Sequence, residues 1–258
     1  MMLDGLVQTP ELLVALDFDG TLAPLVDVPI EARMAPSTAA AIDALAAAPR
    51  TTVAFVSGRS LADLRVIAEH GDVSSIVLAG SHGAEFWWPE HLRAAPAAAP
   101  RAGVDESELR DELRAAAEAI AADVDGAWIE PKAVGFGVHS RLVAPERAAE
   151  VHERIDALMA ERAPHWRRRV GHSITEFAFR DEGKDDAVAR LREATGATAV
   201  LFAGDDVTDE DAIRSLGPGD LGIRVGPGET AARLRVASID ELAVLLRELA
   251  DRRSVARE

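Results

Sequence analysis

The chain contains no cysteine, which excludes disulfides, thiolate nucleophiles and zinc-thiolate sites and leaves any metal to oxygen or imidazole ligands. It has no apolar run approaching the roughly 20 residues of a membrane helix, and its opening, MMLDGLVQTP, lacks the basic-then-apolar layout of a secretory leader. A cytoplasmic location is the expectation. Positive charge is also scarce. The net charge of −16 argues against a nucleic-acid partner, because a phosphate backbone needs a broad basic surface. The one basic cluster, Arg167 to Arg169, reads as a solvated turn or strand end. A small anionic substrate would need a local positive site to overcome this field. Tyrosine is absent, and of 28 basic residues only Lys132 and Lys184 are lysines. A compositional bias toward arginine explains this plainly. Yet such a chain has reason to keep lysine where a compact, rotatable point charge is needed and a flat guanidinium would not fit, so both lysines become site candidates.

What is present is the balance of a globular protein, with 48% hydrophobic and 28% charged residues in a chain of 258, long enough to bury a substantial core. Short apolar runs alternate with helical patterns: LLVALDF (12–18), a helix over 37–47, TTVAFVS (51–57), a helix over 60–68 and SIVLAGS (75–81). This alternation predicts a doubly wound parallel sheet of the α/β class with helices on both faces, and Ser37 and Ser60 are its expected helix N-caps. The stretch His91 to Pro100 breaks the pattern and reads as a linker. A helix over 106–122, the runs GAWIEPK and GFGVHSRL, a helix over 145–163, and the runs WRRRVGH and SITEFAFR follow. Helix, two strands, helix, two strands describes an inserted α+β cap domain (αββαββ). From Lys184 the parallel pattern resumes with a helix over 185–195, TAVLFAG (198–204), a helix after Asp209, LGIRVG (221–226) and a helix over 240–252. The domains expected are a core of 1–103 with 181–258 and a cap of 104–180. The tail DRRSVARE is expected to fray.

Loops at the carboxyl ends of parallel strands form the ligand crevice, and four of them are loaded here: Asp17 and Asp19, Ser57 and Arg59, Ser81 and His82, and Asp205, Asp206 and Asp209. Crowded carboxylates raise one another's pKa, so such a cluster implies a bound cation. Oxygen ligands without cysteine point to magnesium. GDDVTDED is no calcium loop, since it lacks the required glycine and distal glutamate.

DFDGTLAPL, SGR, a lysine opening a helix and GDDVTDED resemble, in order, the four motifs of the haloacid-dehalogenase-like (HAD) phosphohydrolases. GSHGAE (80–85), EPK with GFGVHSR (130–141), EFAFR (176–180) and VGPGETAA (225–232) resemble more narrowly the trehalose-6-phosphate phosphatase family. The resemblance implies a HAD-like Rossmannoid core and hydrolysis of trehalose 6-phosphate with Mg2+. It implies that Asp17 is the nucleophile forming an aspartyl phosphate, Asp19 the general acid and base, Ser57 a donor to phosphate and Lys184 its neutralising charge. The metal would take a carboxylate oxygen of Asp17, the backbone carbonyl of Asp19 and the carboxylate of Asp205, with Asp209 behind or joined through water. Glu130, Lys132 and Glu176 resemble the family's sugar contacts, and Gly20 and Arg59 complete the substrate-binding set.

Other readings stand beside these. Ser57 could cap the following helix, the two glutamates could face outward from half-exposed strands, and Arg59, His82, His139 and Arg141 could each serve core ion pairs or satisfied imidazoles. The substrate could be sucrose 6-phosphate or a glucosyl-glycerate phosphate, and the chain could be a non-catalytic sugar-phosphate sensor or an aspartyl-phosphate receiver. One departure is plain: the family's His-Tyr-Arg is His139, Ser140, Arg141 here, which bears on substrate affinity. A monomer is expected, with hinges near Gly103 and over 180–183.

Overall fold

The computed structural model describes residues 3–92, 104–171, 173–180 and 183–255. The chain divides into two compact units, Met1–Ala97 with Glu182–Glu258, and Ala98–Asp181. Both expected joints, most of the expected linker and the hinge at Gly103 fall at or beside 93–103 and 181–182, outside the described residues.

In the first unit, β1 (Leu12–Leu16), β2 (Thr51–Val56), β3 (Val77–Gly80), β4 (Glu85–Trp87), β9 (Ala199–Gly204), β10 (Leu221–Val225) and β11 (Leu234–Val236) form one sheet in the order β11-β10-β9-β1-β2-β3-β4. All neighbours are parallel except β3 and β4. Every residue of β1, β9 and β10 is buried, because helices cover both faces and the strand period of two sends alternate side chains to different cores. Leu12, Val14 and Leu16 pack with α1 (Asp4–Gln8), α2 (Pro36–Ala47), α3 (Leu61–Ile67) and α8 (Ile239–Val255). Leu13 and Ala15 pack with α6 (Lys184–Thr195) and α7 (Asp209–Ser215). The chain runs β1, β2, β3 to one side and places β9 on the other, so the strand order reverses between β9 and β1. A crevice for ligand forms at such a reversal.

The second unit has α4 (Val104–Ala121), β5 (Trp128–Lys132), β6 (Gly135–His139), α5 (Pro145–Arg162), β7 (Arg167–Gly171) and β8 (Ile174–Ala178), with an antiparallel sheet in the order β5-β6-β8-β7. Phe136, Val138 and Phe177 bury one face against Leu113, Ala117, Val151, Ile155 and Met159 of the two helices. Alternation sends Trp128, Glu130, Lys132, Gly137, His139 and Glu176 to the other face. Arg167 to Arg169 lie on the strand β7, and Arg168 forms a two-point pair with Asp156 at 2.7 and 2.9 Å.

Two local expectations need correction and one between them holds. Ser37 does not cap α2: Pro36 takes the first helical position, where its missing N–H costs nothing, and Ala35 precedes it without a side-chain cap. Ser60 does cap α3, accepting from the Asp63 N–H at 3.1 Å. The tail does not fray through 252–255. Helix α8 runs to Val255, with Arg253 only 1% exposed, donating to the carbonyls of Leu6 and Arg50 and to the Thr51 hydroxyl. That buried fan ties α8 to the residues around α1 and the start of β2.

Candidate functional site

The apolar strand β1 ends at Leu16, and the next residue, Asp17, is buried at the strand-order reversal beside the loop that follows β9. Its Oδ1 accepts from Lys184 Nζ at 2.6 Å, and the same ammonium donates to Asp209 Oδ1 at 2.6 Å. Lys184 opens α6 and is 3% exposed. The other oxygen of Asp209 accepts the backbone N–H groups of Asp205 and Asp206 at 3.0 and 2.9 Å, which folds the GDDVTDED loop over the start of α7. Both Asp209 oxygens are thus engaged. Among the described residues Asp17 Oδ2 and Asp205 Oδ1 share only the Thr21 hydroxyl, at 3.4 and 3.2 Å, and one hydroxyl proton serves one of them at a time. Gly20 makes this approach possible. Its φ of +79° suits glycine, and a Cβ there would stand 2.1 Å from Asp205 Oδ2.

Oxygens from Asp17, Asp205 and Asp209 lie within 4.8 Å of one another. Burial pushes the Asp17 carboxyl well above the usual range, with the Lys184 charge opposing and the Asp209 and Asp205 charges adding to it. Asp205 is pushed up to about 6, by burial first and then by Asp209. For Lys184, burial alone would lower the pKa, but the charges and hydrogen bonds of Asp17 and Asp209 carry it above the ordinary value. Three carboxylates against one ammonium leave the cluster short of positive charge. An all-oxygen set with unspent acceptors on Asp17 and Asp205 fits a hard divalent cation. Beside it lies a cavity of about 700 Å³, lined by Gly20, Asp205, Leu22, Arg224, Pro227 and Ile239 among others.

Asp19 stands apart from this cluster. Both its oxygens accept from Arg59, Oδ2 from Nε at 2.8 Å and Oδ1 from Nη2 at 2.6 Å. The guanidinium expected to meet substrate is therefore placed on Asp19. Ser57, 2% exposed at the end of β2, accepts the Arg59 N–H on its hydroxyl at 3.1 Å. Because Ser60 caps α3, the capping alternative for Ser57 falls away. His82 is buried, and its N–H donates to the Ser57 carbonyl at 2.9 Å.

The second unit gathers its own polar group. Lys132 Nζ donates to Glu176 Oε1 and lies 3.8 Å from Glu130 Oε2, which is 2.8 Å from His139 Nε2. The Trp128 ring stacks on His139 at 4.3 Å. Glu130 Oε1 is buried without a hydrogen-bond partner among the described residues. Burial would raise the Glu130 pKa, but the charge of Lys132 and the hydrogen bond from His139 bring it below the ordinary value. The glutamates thus do not face outward as solvated strand residues; they grip a lysine. Ser140 meets His152 Nε2 at 2.9 Å, and Arg141 lies in the turn after β6. The sequence reading missed the partners that hold these groups: Thr21, adjoining DFDG in the motif itself, the two-point Arg59 contact, and Glu85, which binds the Ser81 hydroxyl at 2.7 Å.

Residues 15–240 match the family model described as Trehalose-phosphatase. The trehalose-phosphate phosphatase of Mycobacterium marinum is 33% identical over 244 residues, covering 91% of this chain and 58% of its own length. That of Mycobacterium bovis is 34% identical, covering 95% and 64%. The chain thus spans about three-fifths of the length of these relatives. Among solved structures, the C-terminal domain of the Candida albicans trehalose-6-phosphate phosphatase superposes with a TM-score of 0.78 at 20% identity, covering 97% of this chain and 95% of that one. A HAD-superfamily sugar phosphatase of subclass IIB superposes at 0.56 with 16% identity, covering 92% and 98%. These likenesses show a HAD-like fold. The family match runs unbroken from β1 through both lysine clusters to the start of α8, and on that ground the chain belongs to the trehalose-phosphatase family.

Proposed function

We propose that the chain hydrolyses trehalose 6-phosphate to trehalose and phosphate through an aspartyl phosphate on Asp17, with Mg2+ as cofactor. One observation carries this: Asp17 presents one oxygen to the buried Lys184 ammonium and leaves the other beside Asp205. A nucleophile held in that way is aimed, and its charge is partly met before an anionic substrate arrives. A carboxylate oxygen of Asp17, the Asp205 carboxylate and the Asp19 carbonyl would hold the ion, and Asp209 would keep Lys184 and the 205–206 backbone in place. When bound, the ion supplies the positive charge this cluster lacks and lets two anions approach.

In this reading Asp17 Oδ attacks phosphorus, the bond from phosphorus to the sugar oxygen breaks, and Asp19 gives that oxygen a proton. Water then attacks the phosphorus of the acyl phosphate and Asp19 takes its proton. The bond from phosphorus to the Asp17 oxygen breaks, and phosphate and the free carboxylate are restored. Ser57 donates to a phosphate oxygen and Lys184 balances charge as transfer proceeds. Glu130, Lys132 and Glu176 bind sugar hydroxyls, for which ionised groups form strong hydrogen bonds without requiring charge on the sugar. The same reading has a cytoplasmic monomer acting on a small molecule and not on nucleic acid; the charge of −16 supports the last point, and among the described residues no helix is long and apolar enough to cross a membrane.

Phosphate release measured with Mg2+ and with a chelator, across trehalose 6-phosphate, sucrose 6-phosphate and glucosyl-glycerate phosphate, tests the proposal. The expected result is Mg2+-dependent turnover strongest on trehalose 6-phosphate. Equal turnover of all three would overturn the substrate assignment, and turnover untouched by the chelator would overturn the cofactor.

A further inference from the structure

We propose that Arg59 is the positioning residue of Asp19: the guanidinium, held on a braced backbone, sets the plane and aim of the carboxylate assigned as acid and base. The inference rests on the phosphatase reading.

Asp19 takes no part in the Asp17, Asp205 and Asp209 grouping. Its backbone is fixed by the turn in which Gly20 N–H donates to the Ala23 carbonyl at 2.7 Å and Ala23 N–H to that of Phe18 at 2.9 Å. That turn leaves the side-chain torsions free. The two-point contact from Arg59 removes this freedom, because parallel bonds from Nε and Nη2 fix the carboxylate plane as well as its distance. A lysine ammonium would fix distance alone. The pair is partly shielded, with side chains 16% and 22% exposed.

A strut must itself be anchored, and the turn after β3 does this. Ser81 N–H donates to the Arg59 carbonyl at 2.6 Å, His82 N–H to the Ser57 carbonyl at 2.9 Å, and Leu61 N–H to Glu85 Oε2 at 3.2 Å. Ser81 and His82 adopt φ of +49° and +56° to reach these partners. For residues with a Cβ that region costs about 1–2 kcal/mol each, and it persists only where surrounding contacts overdetermine it. Gly80 is part of the brace: a Cβ there would lie 2.7 Å from Leu61 N and 3.1 Å from the Arg59 carbonyl oxygen. The GSHGAE stretch, which carries no reacting group of its own, thereby acquires a task. It holds the Arg59 backbone, and Arg59 holds Asp19.

A positioning strut and a substrate contact differ kinetically. Displacing an acid or base from its aim lowers kcat, whereas losing a ground-state contact raises KM. The test measures Arg59→Lys, Arg59→Ala, Asp19→Asn and the Arg59→Ala/Asp19→Asn pair on trehalose 6-phosphate, and solves the Arg59→Ala crystal structure. Expected are a fall in kcat of about 100-fold in both single Arg59 variants with KM little changed, partial rescue of Arg59→Ala by added guanidinium, no further loss when Arg59→Ala is placed on Asp19→Asn, and a turned Asp19 carboxylate in the crystal. A raised KM with kcat intact, multiplying losses in the double variant, or an unmoved Asp19 would overturn it. Absence of phosphate release by the intact chain would defeat the phosphatase reading instead, and the crystal structure would still decide whether Arg59 aims Asp19.

Discussion

Each unit of the molecule holds one lysine, and each lysine lies against two carboxylates, yet the two clusters differ in how much negative charge is left unmet. In the first unit Lys184 meets Asp17 and Asp209 where strand ends and a helix start converge, and a third carboxylate, Asp205, leaves the site with a deficit of positive charge. In the second, Lys132 meets Glu176 and Glu130 on a flat sheet face, with His139 as a further partner. The environments of their acids differ accordingly: burial and carboxylate neighbours push Asp17 and Asp205 up, whereas Lys132 and the hydrogen bond from His139 bring Glu130 down against its burial. In the proposed reading a site short of positive charge accepts a cation and, with it, a phosphate. In that same reading the second cluster, with its glutamates held on Lys132, presents fixed acceptors to neutral hydroxyls. Residue type alone does not separate the two clusters; burial and the count of neighbours do.

The sharpest way to break the comparison is to remove each lysine in turn. Lys184→Met leaves two buried carboxylates facing each other and should cost about 3–5 kcal/mol in denaturant unfolding, with phosphate release falling by about 10³-fold or more. Lys132→Met should instead raise KM for the sugar phosphate by about tenfold while kcat changes little, because it removes binding present equally before and during reaction. A comparable collapse of kcat in both variants would erase the distinction between the clusters.

Acidification should separate the units by sign. For Asp205, whose folded pKa is about 6 against an ordinary 3.8, the native state binds more protons than the unfolded state between those values, so metal-free stability rises as pH falls through that window. Asp17 shifts in the same direction. Glu130, lowered from 4.5, contributes stability that is full above that value and lost as pH falls through its depressed folded pKa. Amide protection factors of the metal-free protein, taken relative to the intrinsic exchange rate at each pH, should therefore rise in β1 and β9 between pH 7 and pH 5 and stay level in β5 and β6, and Mg2+ should weaken in affinity below about pH 6 as protons compete for Asp205. The smallest effect is expected at a polar contact outside both clusters: Ser140→Ala deprives His152 of one partner and should cost about 1 kcal/mol in denaturant unfolding, with kcat unchanged.

Much of this arrangement was legible from residues alone because its signals are local. The all-apolar runs LLVAL and AVLFAG announce strands covered on both faces, and the acids just beyond them mark strand ends. Two lysines in an arginine-rich chain pointed to both clusters. What escaped is short or tertiary. Strands β4 and β11, of three residues each, lack a run long enough to show a period, and α1 has only five residues. The contact of Arg59 with Asp19 spans 40 positions, and no spacing rule encodes it. Arg253 looked like a fraying tail residue because its partners are carbonyls around α1 and β2, visible only once the sheet brings them under α8.

The central claim is that Asp17 becomes transiently phosphorylated. Protein quenched in acid during turnover of trehalose 6-phosphate with Mg2+, then digested and mapped by mass, tests it most directly. The account predicts a phosphate-sized mass gain on the peptide carrying Asp17, and neither that gain nor turnover in Asp17→Asn. Turnover retained in Asp17→Asn, or a phosphate carried on another residue, would contradict it.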